Sequence, residues 1–284
     1  MEQQGGANPE TRGPETRGPE KRPLEMAERG WWDPAFTRLV GDYLPADPAI
    51  LLEIGCGLAP AAHALLPARP GLCYLGLDTD AGRLAEASRR VAGKDWADRA
   101  AFRQGPAAPL PLPDSGIGVV LSAMALHHQP DPGAVLKEAA RVLSPGGLLI
   151  AVEPDNTNNL FYFNGLLDDV TSAFRDLFRE HRRLKAPADT ALGPRVAALA
   201  EEQGFSIAEV IPYLLGTTRR MTAREFFEGA RQIAGIVAQG LPGPCKEVVA
   251  ATRAVATAEA DAGGPDSVGY ACQAVPVFIC IARK

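Results

Sequence analysis

An apolar run that stops on two glycines constrains this chain more than any other feature. Residues 50–54, Ile-Leu-Leu-Glu-Ile, lead into Gly55-Cys56-Gly57 and on through Leu58-Ala59-Pro60. An apolar run bounded by glycine reads as a buried strand that ends at a tight turn. Gly55 and Gly57 open backbone angles closed to residues with a Cβ, and they let a ligand approach the main chain. Pro60 suits the first turn of a following helix, where a missing N–H costs nothing. Strand, glycine turn and helix together can hold a nucleotide-like ligand above a strand end. From these residues alone an ordinary strand-to-helix turn reads the same, because Ala59 stands nearest the spacing of a third glycine.

The next strand narrows the choice. Cys73-Tyr-Leu-Gly-Leu-Asp78 is apolar and ends on a carboxylate, 21 residues past Gly57. That is about the distance at which an acidic residue meets a ribose diol. A carboxylate accepts hydrogen bonds from both hydroxyls, which a neutral side chain does less well. Further strands are predicted near 101–104, at 117–122 and at 148–153. Helices are predicted from Pro60, from Asp80 to about Val91, and from Asp131-Pro132 through Leu143. Alternation of this kind demands an α/β fold with a doubly wound, mostly parallel sheet, whose ligands sit beyond the carboxyl ends of the strands.

Several motifs, taken in order, carry a family resemblance. They are Glu53-Ile-Gly-Cys-Gly, Leu77-Asp78, and Leu110-Pro-Leu-Pro-Asp-Ser ahead of Val119-Val120-Leu121-Ser122. Leu126-His127-His128 and Arg141-Val-Leu-Ser-Pro-Gly-Gly-Leu-Leu-Ile, ending at Glu153-Pro154, complete the set. Over roughly residues 48–155, and more loosely at the C-terminus, the chain resembles the small-molecule type of class I S-adenosylmethionine-dependent methyltransferases. The resemblance implies a Rossmann-like sheet of seven strands with the last antiparallel. It implies S-adenosylmethionine as cofactor, and methyl transfer to an O or N atom of a small acceptor.

The resemblance also assigns residues. Gly55 and Gly57 pass the methionine part of the cofactor, and Asp78 binds the ribose hydroxyls. Glu53 orders the glycine turn or touches the amino group through water; a carboxylate satisfied by turn amides is the plainer alternative. The family usually has Asp after Gly105, facing the adenine amino group, and this chain has Pro106. Proline brings neither carboxylate nor N–H, so adenine falls to the Ala107 backbone, apolar contacts and Gln104. Gly118 likewise stands where the family often has Asp. Ser122 lines the methionine side. His127, His128, Glu153 and Asp155 are the candidate catalytic residues, with a structural role open for at least one histidine. A histidine near the sulfonium accepts a proton at neutral pH. No metal is expected, because nothing in the spacing of these four demands one.

The rest of the chain is divided by composition. Residues 1–23 repeat Pro-Glu-Thr-Arg-Gly with no apolar side chain to bury and read as a disordered tail. Residues 24–284 form the methyltransferase domain, with an N-terminal helical segment at 24–46. Segments 155–190 and 213–268 are expected as helical insertions that cap the substrate pocket. Within them 160–185 and 222–239 are predicted as helices, 245–260 as another, and 205–211 and 273–282 as strands. Trp31 or Trp32, Phe161–Phe163 and residues 213–239 are expected to wall an acceptor pocket.

Hydrophobic residues make up 46% and charged residues 22% of 284, and the net charge is −5. That balance argues against a nucleic-acid partner. Five cysteines without metal spacing read as free thiols of a cytoplasmic protein. No apolar stretch is long enough for a membrane span, and no signal-peptide centre is seen near the start. A small-molecule acceptor is the expected partner, and a homodimer is compatible with the aromatic content. Two other readings stay open: a methyltransferase acting on protein or nucleic acid, and a methyltransferase-like subunit that binds cofactor without catalysis or has lost it.

Overall fold

A computed structural model describes residues 32–184, 188–216, 218–241, 243 and 245–284. The expected tail at 1–23, the first part of the 24–46 segment and Trp31 lie outside the described residues.

The first half follows the expected alternation. In chain order it runs α1 (Pro34–Tyr43), β1 (Ala49–Ile54), α2 (Pro60–Leu65), β2 (Leu72–Asp78), α3 (Ala81–Val91), β3 (Ala100–Gln104), β4 (Ile117–Ala123), α4 (Pro132–Val142) and β5 (Leu143–Pro154). The helix starts are set locally. Asp33, Asp80 and Asp131 each accept hydrogen bonds from backbone amides of the first turn, and Pro34 and Pro132 follow two of them directly. The second half adds β6 (Leu160–Phe163), α5 (Asp168–Arg183), α6 (Val196–Glu202), β7 (Ser206–Gly216), β8 (Arg219–Thr222), α7 (Ala223–Gln239), α8 (Lys246–Asp261) and β9 (Val268–Arg283).

The strands form one nine-stranded sheet in the order β3-β2-β1-β4-β5-β9-β6, with β7 and β8 also paired to β9. Strands β1 to β5 are parallel, and β9 is antiparallel to every partner. The expected seven strands are the core, β3-β2-β1-β4-β5-β9-β7. The two extra strands exist because β9 is 16 residues long. Its last part lies between β5 and β7, and its first part overhangs the core and collects β6 on one side and β8 on the other.

Period-two alternation sorts the core. Leu51, Val119, Leu121, Ile150, Val152 and Ile279 face a cluster closed by α1, α2 and α3. Leu52, Val120, Leu149, Ala151 and Cys280 face the other side, closed by α4 and α6. A third cluster is separate from both. It joins Phe161 and Phe163 of β6 to Phe174 and Phe178 of α5, Phe226 and Phe227 of α7, and Val255 of α8.

Three expectations change. Residues 160–163 are a strand, not the start of a helix, and α5 begins only at Asp168. The overhang of β9 offers Leu160–Phe163 a hydrogen-bonding edge, and alternate burial of Phe161 and Phe163 suits it. β7 runs to Gly216 rather than stopping at 211, for the same reason. The expected pocket wall is divided between two cores. Trp32 packs edge-on against Phe36, which meets Tyr213, in the first cluster. Phe161 stacks on Phe174, and Phe163 packs against Phe226 and Phe227, in the third.

Candidate active site

The glycine turn is built as its sequence requires. Gly55 and Gly57 have φ of 72° and 52°, and Ala59 adopts the same left-handed region at 57°. The amides of Gly55 and Cys56 donate to the Leu77 carbonyl at 2.8 and 3.0 Å, tying the turn to the end of β2. A Cβ added to Gly55 would stand 2.5 Å from the Ala125 Cβ. Glycine is therefore required there by space as well as by φ.

Asp78 closes this turn. One carboxylate oxygen accepts the Gly57 amide at 2.9 Å and the other accepts the Asp80 amide at 3.0 Å. A carboxylate has about four acceptor positions, so two remain on a half-buried group at the lip of the turn. The residues thus fit a ribose diol: the acceptor is fixed by two amides and keeps capacity for two hydroxyl donors. Gln104 is the register partner of Asp78 and donates to the Thr79 carbonyl at 3.0 Å. The Ala107 side chain is buried in the second core cluster, and Pro106 is exposed.

Glu53 is 2% exposed and sits beneath the turn. Its partner is the Tyr74 hydroxyl, which donates to it, and not the turn amides. Burial pushes its pKa up to about 8; the Tyr74 hydrogen bond acts against this, and the charge of Asp78 reinforces it. The register of β1 and β2 brings Tyr74 to Glu53. Two parallel strands place Leu51 beside Tyr74 and Glu53 beside Gly76, so Glu53 and Tyr74 share a face. Gly76 leaves the space: a Cβ there would meet Cys56 Sγ at 2.8 Å and Phe102 at 2.9 Å.

The second half of the site lies where β4 and β5 end. Glu153 is fully buried. It accepts the backbone amides of Ala125, Leu126 and His127 at 3.2, 2.9 and 3.1 Å, and contacts His127 Nδ1 at 2.8 Å. Met124 precedes this turn with φ of 58°, a strained value for a residue with a side chain. Glu153 is therefore the scaffold of the 125–128 turn, with its oxygens committed to that turn and not turned to an acceptor. Asp155 is used in a similar way. It accepts the Thr157 amide and hydroxyl at 3.1 and 2.5 Å and the Asn158 side-chain amide at 2.6 Å.

His127 and His128 have ring centroids 3.9 Å apart. With Nδ1–H directed at Glu153, His127 carries its lone pair on Nε2. His128 stands at the surface, yet the protein packed around its ring, then His127 and Arg83, push its pKa down to about 4. It is neutral at physiological pH. The Ser122 hydroxyl is buried, on the face shared with Val120 and Ala151, and has no partner among the described residues. No group of three or more His, Cys, Asp or Glu among the described residues is placed to hold a metal.

Comparison with known proteins agrees with this geometry. Residues 52–151 match the methyltransferase domain family. The chain is 35% identical over 136 residues to 27-O-demethylrifamycin SV methyltransferase of Amycolatopsis mediterranei, covering 44% of this chain and 50% of that protein. It is 37% identical over 114 residues to trans-aconitate 2-methyltransferase of Methylobacterium nodulans, covering 39% of this chain and 40% of that protein. The matched stretches thus span half or less of these relatives' length. Among solved structures, the [4+2]-cyclase SpnF aligns at a TM-score of 0.53 with 21% identity, over 88% of this chain and 80% of that one. At that identity the likeness is one of fold. The matched stretch runs from within β1 through most of β5, and it contains the glycine turn, Asp78 and the histidine turn but stops short of Glu153 and Asp155. Residues 52–151 are thus similar to a methyltransferase domain.

Proposed function

We propose that this protein transfers a methyl group from S-adenosylmethionine to an oxygen or nitrogen of a small-molecule acceptor. The observation that carries the reading is Asp78, held by the Gly57 amide at the lip of the turn with acceptor capacity to spare. The relatives' names, which denote methyltransferases of small molecules, support the acceptor class.

When bound, the cofactor supplies an activated methyl on a sulfonium, so the protein's work is mainly to position the acceptor. Gly55 and Gly57 expose main chain to the methionine portion, and Asp78 takes the ribose. Gln104 and the Ala107 backbone border the adenine side, and Ser122 offers its unpartnered hydroxyl. The acceptor loses a proton as it is methylated. We assign that proton to His127 Nε2, a role supported by the Glu153 contact that holds the ring through Nδ1. His128, neutral above pH 5, adds no charge that would repel the sulfonium. Glu153 and Asp155 act as positioning residues: one holds the histidine turn, the other the 156–158 turn.

A second reading, a subunit of the same fold that does not methylate, draws on Pro106, which cannot supply the carboxylate the family often uses. The test is methyl-labelled S-adenosylmethionine incubated with a panel of small alcohols, phenols, carboxylic acids and amines. Label transfer to at least one, lost in His127→Ala, is expected. Cofactor binding without transfer to any member would favour the second reading.

A further inference from the structure

The residues assigned so far account for the cofactor and a base, but not for what recognises the acceptor. Beyond them, His63, Asn159, Arg175 and His181 each bury a polar side-chain atom without a partner among the described residues, and Asn159 and Arg175 bear on the acceptor. Asn159 is 3% exposed, and its Oδ1 accepts no hydrogen bond among the described residues. Its Nδ2 makes only a long contact, 3.4 Å, with Asn156. Arg175 Nε is likewise buried with no acceptor. An orphaned donor or acceptor of this kind costs stability unless something else satisfies it.

Arg175 lies on α5, which packs on the 156–158 turn that precedes Asn159. Thr171, Arg175, Phe178 and Arg182 lie on one stripe of α5, at spacings of four, three and four residues. The neighbours of that stripe are fixed by contacts. Thr171 Oγ1 accepts the Phe161 amide at 3.2 Å, the Phe178 carbonyl accepts the Thr190 hydroxyl at 3.4 Å, and Arg182 lies 3.7 Å from Asp189. The stripe therefore looks onto residues 160–161 and 189–190, and α5 packs on the 156–158 turn that they flank. The Asn156 amide donates to the Thr190 carbonyl at 2.7 Å, and the Asp189 amide donates to the His127 carbonyl at 2.7 Å. Residues 189–190, beneath that stripe of α5, are thus tied to the backbone of His127. Arg175 has no ion-pair partner among the described residues.

On the reading given under Proposed function, we propose that Arg175 and Asn159 select the acceptor. The acceptor is a small molecule with a carboxylate or carbonyl oxygen beside a hydroxyl or amine hydrogen. Arg175 donates to the oxygen and Asn159 Oδ1 accepts the hydrogen. A guanidinium suits a planar oxygen pair better than an ammonium does. The hydroxyl or amine held by Asn159 is then the group presented for methylation, or the immediate neighbour of that group.

The test uses the full chain saturated with S-adenosylhomocysteine, whose binding is first measured by calorimetry. Failure at that step counts against the functional reading and leaves the acceptor question separate. Two matched pairs are then titrated: lactate against propane-1,2-diol, and salicylate against catechol. At least one acid should bind about tenfold or more tighter than its diol, the scale of a hydrogen bond to a charged group. Arg175→Gln should erase that preference and leave S-adenosylhomocysteine affinity unchanged, and Arg175→Lys should restore it only in part. Should Arg175→Gln not fold, the Arg175 Nε–H resonance of the wild type, assigned by its loss in Arg175→Lys, reports directly and should shift with the acid but not the diol. Equal binding of both acids and their diols, a preference retained in Arg175→Gln, or an Nε–H signal indifferent to the acids would overturn the proposal.

Discussion

Glu53 shows how much one residue sets here. A carboxyl with 2% exposure, next to a phenol and near Asp78, is held protonated through neutral pH, up to about 8. Its folded pKa lies above the unfolded value of 4.5. The folded state therefore binds the extra proton, and stability falls as pH rises through that interval and levels off above it. Glu53→Gln keeps an acceptor for Tyr74 but does not titrate. Its melting temperature relative to wild type should rise by several degrees between pH 5 and pH 8. A constant difference across that range would mean Glu53 is ionised in the fold. Glu153 makes the opposite case, a buried carboxyl that accepts three amides and a histidine. Glu153→Gln sets an NH2 against those donors and should cost on the order of 3 kcal/mol in denaturant unfolding. It should also lower kcat more than it raises KM, because His127 loses its orientation. A loss confined to KM would place Glu153 in acceptor binding instead.

At the level of elements, the glycine turn was legible because its requirements are local. Two glycines, a preceding apolar run and a following proline specify strand, left-handed turn and helix with no tertiary information. The place of Asp78 beside that turn was legible by spacing. Gly55→Ala meets both a φ of 72° and a Cβ contact of 2.5 Å with Ala125. Cofactor affinity should fall at least tenfold, with stability reduced by more than about 1 kcal/mol; tolerance of the substitution in both assays would mean the turn is looser than its contacts imply. What stayed hidden depends on partners distant in sequence. Residues 160–163 carry aromatic residues that read equally as helix or strand, and only the overhanging start of β9, more than 100 residues later, decides for strand. Tyr74 as the partner of Glu53 needed the β1–β2 register. The burial of Glu153 and Asp155 needed the turns that fold back over them. A carboxylate at a strand end reads the same in sequence whether it faces a ligand or its own backbone.

In the whole molecule, the described residues fall into two structural layers. The parallel half of the sheet, with its two flanking cores, carries the glycine turn and the histidines. β6, α5, α7 and α8 build a third core on the overhang of β9. That core has its own aromatic centre in Phe174 and Phe227, both fully buried. Phe227→Ala should cost about 3–5 kcal/mol, as for a large aromatic in a closed core. By amide exchange it should loosen α5, α7 and α8 before it loosens β1 and β4; uniform loosening would show that the three cores unfold as one. The account as a whole rests on Asp78 at the ribose. Calorimetric titration of S-adenosylmethionine into the wild type and into Asp78→Ala tests it most directly. The account predicts saturable binding to the wild type and a loss of about 1–3 kcal/mol in the variant, roughly ten- to a hundredfold in Kd, with an unchanged melting temperature. No binding to the wild type, or equal affinity in the two proteins, would contradict it.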